Sequence, residues 1–502
     1  MGKPFVGILI HPWDIQDEGS FGVAETLSGL GVSSLFLAVN ATAEEHPPQP
    51  VDARLTHNPK RKRFVSEEGR FYYETDSSFY PNSVAIPKRS AEERLMGYDV
   101  FVDTREAFSA SDLSRYVWLT SLHNGQFIED GRELATVDIT SDADRNWMCP
   151  NNPNVLIQML ELINEIQTKY DTKGILLDNF WWKYPHTFMS SLESGMVCFC
   201  EHCLEGMDRA GIDTRRLRVA LSGIARAVRG LTESQILDIR DTDPDQLLRI
   251  VGLEPREGAG YADIMNALFE DRDLRGRIPE LAETDGLGIF SWLNEHPIIL
   301  DWLDFKADVL RELLHSIRSL VKSNDRDFEL GLAIWSPRSS WSVCQRYGDL
   351  VQECDWMMPM VYHKIWGWYS TCVADELFQI THPKTPTMFA SYKEILRAWF
   401  KLAGYSGSHL ASHIINGLSP EQIRKELERS RELVGGGYPL YAGIQLWEPG
   451  SKIPHPEEAA EIARICLESD IQGILIQGYG WTPMPNLIAF SKAMEDFTRT
   501  QP

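Results

Sequence analysis

The chain has no run of about eighteen apolar residues, so nothing in it reads as a membrane-spanning helix. The apolar stretch Phe5–Ile10 near the start is too short for a secretory signal and no small-residue cleavage site follows it. A soluble, cytoplasmic protein is therefore expected. Basic residues are in deficit: 49 Lys plus Arg stand against 72 Asp plus Glu, a formal net charge of −23. Such a surface repels nucleic acid and anionic lipid, so neither is expected as a partner. The single dense basic run, Lys60-Arg61-Lys62-Arg63, reads as a solvated loop. No Gly-rich phosphate loop follows the first apolar run, where Pro12-Trp13-Asp14 stands instead. That argues against nucleotide-binding sheets and against any organic cofactor of that kind. No His-x-His pair follows it either, which weakens a hydrolase built on a catalytic metal at His11, Asp178 and His363.

What is present is alternation. Hydrophobic residues make up 43% of 502, enough for a large core. Strand-like runs at 6–10, 33–39, 116–122, 175–177, 329–334, 356–361, 441–446 and 473–476 are separated by helical patterns such as Val155–Lys169, Ile298–Val321 and Pro456–Leu467. Eight strands in β/α order predict an α/β fold, a (β/α)₈ TIM barrel, rather than an open doubly wound sheet. The period fails in two places. A polar excursion over 43–90, holding Phe71-Tyr72-Tyr73, is expected to fold over the barrel mouth. The stretch after the fourth strand is polar and partly helical. The expected organisation is thus a first half-barrel at 1–182, an insertion at 183–297 and a second half-barrel at 298–502.

Eight cysteines are few for this length, yet four form a pattern: Cys149, then Cys198, Cys200 and Cys203. One β/α unit separates the first from the other three and can return both ends to one rim. Four thiolates make a closed tetrahedral zinc site with a structural role; the alternative is a set of ordinary thiols. Fifteen tryptophans are also present, several at predicted strand ends. Flat indole faces stack on the C–H faces of sugar rings, although many of these rings must serve the core.

The segment Cys149-Pro150-Asn151-Asn152-Pro153-Asn154-Val155, a helix, Gly174-Ile175-Leu176-Leu177-Asp178-Asn179, then Cys198-Phe199-Cys200-Glu201-His202-Cys203 resembles glycoside-hydrolase-like barrels of the hypothetical glycosyl hydrolase groups. Its cysteines resemble those of glycoside hydrolase family 42 β-galactosidases, where such a cluster holds structural zinc. The run Trp356-Met357-Met358-Pro359-Met360-Val361-Tyr362-His363 is similar to a strand end in the same groups. The resemblance implies a glycosidase acting on a carbohydrate. The chain departs from family 42 at the fourth strand, where Asp178-Asn179 replaces Asn-Glu and is more similar to α-fucosidase and α-amylase-type barrels.

Glycoside cleavage uses two carboxyl groups flanking the bond, and a barrel presents them at strand C-termini. That leaves Asp14, Asp178 and Glu448. The expected catalytic pair is Asp178, as nucleophile or transition-state stabiliser, and Glu448, as general acid/base. Substrate hydroxyls and ring faces are expected to meet His11, Trp13, Asp14, His123, Asn179, Trp181, Trp335, Tyr362, His363, Trp447 and Tyr479. A barrel that binds carbohydrate without cleaving it stands as the rival reading, and a homo-oligomer is left open.

Overall fold

A computed structural model describes residues 5–43, 45–46, 64–184, 192–238, 243–255, 259–284, 288–386, 388–405, 418–447 and 455–500. Glu448, the Lys60–Arg63 run and part of the 43–90 excursion lie outside them. Eight parallel strands close into a barrel: β1 Phe5–Ile10, β2 Ser34–Ala38, β3 Ser114–Thr120, β4 Gly174–Asp178, β5 Glu329–Trp335, β6 Trp356–Met360, β7 Tyr441–Gln445 and β8 Gly473–Gln477. Each pairs with its neighbours in chain order, and β8 closes on β1 through Phe5–Gly473 and Val6–Ile474. This is the (β/α)₈ barrel expected from the alternation. Among the described residues, no helix is long and apolar enough to cross a membrane.

Strand side chains alternate between faces, so one contact fixes the inner set for a whole strand. Phe5 stacks on Tyr441 at 4.8 Å and Phe36 on Tyr116 at 4.7 Å, with Trp356 edge-on to Phe36 at 5.8 Å. These rings fill the lower barrel. The interior is so full that a Cβ on Gly331 would lie 2.2 Å from the Trp356 ring. Glu329 is the polar member of this layer, accepting from Tyr116 Oη at 3.2 Å and Trp356 Nε1 at 3.1 Å. Two residues above Tyr116, Trp118 therefore faces inward too, one layer nearer the C-terminal mouth.

Three segments depart from the sequence reading. The third strand stops at Thr120 rather than Leu122. Beyond it, the Leu122 carbonyl accepts from Met148 N at 2.9 Å, tying the chain to a small antiparallel ribbon, Ala135–Val137 with Ala143–Met148. Asn124 then caps the helix Gly125–Asp130, its Oδ1 accepting from Phe127 N at 3.1 Å. The described part of the 43–90 excursion packs beside the mouth: Tyr72 meets Trp13 edge-on at 5.7 Å, and Tyr73 donates to buried Glu165 at 3.2 Å. Between β6 and β7 stand two helices that the periodicity does not reveal, His363–Thr381 and Phe389–Leu402.

Between β4 and the long helix Ile298–Asn324 the described parts are mostly helical, from Leu192–Gly195 to Ile289–Glu295. The short helix Glu233–Asp238 shares a separate apolar cluster with the two helices after β6, built from Ile236, Leu377, Phe378 and Leu396. A buried ion cluster adds a second tie. Glu426, on helix Glu421–Val434, pairs with Arg338 and Arg429, and Arg429 reaches Asp263 of the helix Tyr261–Glu270.

Candidate active site at the barrel mouth

Asp178 is the last residue of β4, after Ile175-Leu176-Leu177, all buried. Its carboxylate is half-buried and held on both oxygens. Oδ2 accepts from the Trp118 indole Nε1 at 2.8 Å, and Oδ1 from the Asn179 backbone N–H at 2.7 Å. Asn179 has φ +51°, a left-handed conformation that Asn tolerates better than most residues and that turns the chain out of the strand. Burial pushes the Asp178 pKa up, while the two N–H donors pull it partly back. Tyr362, buried where β6 meets its helix, has its phenol pushed up by burial and then by the Asp178 charge. Tyr362 thus stays a neutral hydrogen-bond donor facing a carboxylate.

Two aromatic walls flank this carboxylate. On one side His11 stacks on Trp13 at 4.3 Å and lies 4.9 Å from Trp118 and 5.6 Å from Trp481. Trp481 meets Trp447 edge-on at 4.8 Å, and Trp447 Nε1 donates to the Gln477 carbonyl at 3.2 Å. On the other side His123 stacks on Trp147 at 4.8 Å, Trp147 lies 6.3 Å from Trp181, and Trp181 meets Trp335 at 5.9 Å. Trp335 also meets Tyr184 at 4.5 Å and Trp366 at 5.0 Å.

The walls carry unused hydrogen-bonding capacity. The Nε1 atoms of Trp181 and Trp335, Nε2 of Gln445 and Oε1 of Gln477 are buried without a protein partner. Buried polar atoms are nearly always paired, so these four are exceptions among the side chains at the ends of the barrel strands.

The structure gathers His11, Trp13, Asp178, Asn179, Trp181, Trp335, Tyr362 and Trp447 around the mouth, with His123 behind Trp147. Three other residues singled out in the sequence have protein neighbours of their own. Asp14 is fully buried in the first turn of the helix Pro12–Glu18, its Oδ2 4.0 Å from His11 Nδ1. Tyr479, equally buried, donates its hydroxyl to Glu18 at 2.7 Å. His363 pairs through Nε2 with Glu458 Oε1 at 3.1 Å, and Lys364 reaches the same oxygen at 2.6 Å. Burial pushes the His363 pKa down, so its ring is neutral. Trp118 and Gln477 were not singled out from sequence as site residues. The signal for Trp118 was there: spacing by two from Tyr116 and Thr120 puts all three on one strand face.

The Sγ atoms of Cys149, Cys198, Cys200 and Cys203 all lie within 4.8 Å of one another. Cys149 Sγ is 3.4 Å from Cys203 Sγ and 3.6 Å from Cys200 Sγ. A tetrahedral Zn–S₄ site, with bonds of about 2.3 Å, spaces its sulfurs by about 3.8 Å, so the donor set fits a metal of that size. Cys198 Sγ also accepts backbone N–H bonds from Val137 at 3.3 Å and Cys200 at 3.5 Å. The cluster could hold a metal ion. It pins the ribbon bearing Trp147, two residues before Cys149.

No protein-family model matches the chain, and no curated protein matches it. Among solved structures it is similar to a beta-galactosidase from the haloarchaeon Halorubrum lacusprofundi, with TM-score 0.51 and 10% identity over 99% of this chain and 58% of that one. A beta-galactosidase from Marinomonas ef1 has TM-score 0.49 and 8% identity over 98% of this chain and 59% of that one. An alpha-L-fucosidase from Paenibacillus thiaminolyticus has TM-score 0.44 and 12% identity, over 99% and 49%. The chain thus spans under three fifths of the length of each of these proteins. The first likeness concerns the fold alone: the chain is a (β/α)₈ TIM barrel, as is the part of that protein it matches.

Proposed function

We propose that this protein is a glycoside hydrolase whose chemistry runs at the C-terminal mouth of the barrel. The observation that carries the reading is Asp178. It is a strand-end carboxylate, half-buried and clamped by Trp118, set between two aromatic walls that hold unpaired buried donors. Indole faces suit the apolar faces of sugar rings, and indole and amide groups suit their hydroxyls. Asp178 acts as nucleophile or transition-state stabiliser. Glu448, one residue beyond Trp447, acts as general acid/base. A carboxyl separation of about 5–5.5 Å gives retention, and one of about 6.5–9.5 Å gives inversion. A panel of aryl glycosides tests the reading: release of the aryl group is expected, and Glu448→Gln is expected to abolish most of it. Calorimetric binding of sugars with no release by the native protein would leave a carbohydrate-binding barrel instead.

The Trp118 hydrogen bond gives the site a pH signature. Asp178 works ionised, so activity falls as pH drops through its pKa. Trp118→Phe deletes a bond made to the ionised form. The pKa then rises further, and the acidic limb of kcat/KM moves to higher pH. An unmoved limb in that variant would separate Trp118 from the chemistry.

The four cysteines hold zinc in a structural role, and the residues from 183 to 297 form an insertion that this metal anchors to the barrel. Purified protein is expected to carry about one equivalent of zinc, measured by plasma emission spectrometry. Cys198→Ser is expected to lower both metal content and thermal stability. Less than a tenth of an equivalent would reject a metal role. The acidic surface and the free thiols suit a reducing cytoplasm without nucleic acid or membrane partners.

A further inference from the structure

A line of rings leaves the mouth and runs outward along the helix His363–Thr381. It starts at buried Trp335, passes to Trp366 at 5.0 Å and Tyr184 at 4.5 Å, and continues to Tyr369, 6.3 Å from Trp366 and 6.5 Å from Tyr184. It ends at Trp368, 6.2 Å from Tyr369. Exposure rises along it: Trp335 is 6% exposed, Trp366, Tyr184 and Tyr369 are half-buried, and Trp368 is 53% exposed. An indole left this open makes little contribution to folding, since most of its area stays wetted.

Helical spacing joins the inner rings, while Trp368 stands round the helix from Trp366. Trp366 and Tyr369 are three residues apart, so they share a helix face. Trp366 is secured by its Nε1 bond to the Met360 carbonyl at 3.2 Å, at the end of β6. The path therefore starts on the barrel strands beside Asp178 and is not a detached surface patch. Trp335, Trp366, Tyr369 and Tyr184 meet one another, mostly edge-on, in a ring of four, and Trp368 extends from Tyr369 toward solvent.

We propose that this path is a set of outer subsites and that the substrate is an extended oligosaccharide of at least three or four sugar units. The sugar next to the scissile bond lies by Asp178, and more distant units ride over Trp366, Tyr369 and Trp368. This rests on the hydrolase reading for the position of the scissile bond, but stacking along the path does not need turnover. The occupant is a neutral glycan chain, because the path offers ring faces and phenol hydroxyls and no paired cation among its members.

The test uses the full-length Asp178→Asn protein, which holds ligands without consuming them. Its tryptophan fluorescence is titrated with cello-, malto- and β-1,4-galacto-oligosaccharides of two to five units. For at least one series, binding is expected to tighten at least ten-fold from the dimer to the tetramer. Adding Trp368→Ala is expected to remove most of that gain. Circular dichroism and thermal melting establish that both variants are folded. Equal affinity for all lengths in every series would overturn the proposal, as would a length gain that survives Trp368→Ala. A protein dimer that Trp368→Ala dissolves in sedimentation, with no length dependence, would assign the face to a second copy and overturn it too. If length-dependent binding is found but no native turnover, the hydrolase reading fails and the glycan path stands.

Discussion

Asp178→Asn is expected to lower kcat by about 10⁴-fold or more, the scale seen when a group central to covalent catalysis is removed, while leaving the melting temperature unchanged or higher. The two effects have one origin. Burial raises the pKa of Asp178, so the folded chain holds this proton more tightly than the unfolded chain does. By linkage, the group's relative stabilisation is full below the unfolded pKa. It is lost as pH rises through the folded one. Above that folded pKa the ionised carboxylate is a cost to folding that Asn does not carry, and Asn still offers an oxygen to Trp118 Nε1. A site that maintains a strained charge for chemistry gains stability when that charge is removed. Assays against the best aryl glycoside, with thermal denaturation at pH 7, check both halves. Near-native turnover would take Asp178 out of the mechanism. A fall of many degrees in melting temperature would show the lost activity to be loss of fold.

Much of this was legible in the sequence because the barrel imposes a period. Each strand is an apolar run ending in a polar or aromatic residue, so the pattern itself puts Asp178, His11, Trp335 and Tyr362 at or just beyond strand ends. The cysteines were legible for a different reason: four sulfurs divided by one β/α unit have few ways to lie except together. The sequence was weaker where long-range contact decides. Tyr479 follows a strand as Tyr362 does, yet it sits over the N-terminal helix and bonds Glu18, 461 residues away in sequence. His363 looks like a strand-end ligand group, but a helix beginning there points it at Glu458. Trp118 was not singled out because its partner, Asp178, lies 60 residues on. The helices after β6 were missed because aromatic and small residues such as Trp366, Gly367 and Trp368 blur the helical period.

The ion cluster behind the second wall should dominate stability. Glu426 is buried with Ser336, Arg338 and Arg429; Arg338 Nε is 3.0 Å from its carboxylate and Arg429 Nη1 is 2.7 Å away. Arg338 also donates to the Ala403 carbonyl at 2.7 Å and stands 4.9 Å over the Tyr405 ring. Burial alone would push the Glu426 pKa up, but the two guanidiniums outweigh it and bring it down to about 2. Its contribution to stability is then present above the ordinary carboxylate pKa of 4.5 and lost as pH falls toward 2. Glu426→Leu leaves two buried guanidiniums sharing Asp263, and the expected loss is about 3–5 kcal/mol by chemical denaturation at pH 7. Arg338→Met added to Glu426→Leu should recover part of it, since an uncompensated charge costs more than an apolar pair. The damage should also reach the mouth. Ser336 and Arg338 immediately follow Trp335, so loosening them frees the indole on which the second wall and the outer path both depend. The folded fraction of Glu426→Leu should therefore show a raised KM with kcat less affected. A loss below 1 kcal/mol, or a KM identical to the native one, would mean that the cluster neither holds the fold together nor positions Trp335.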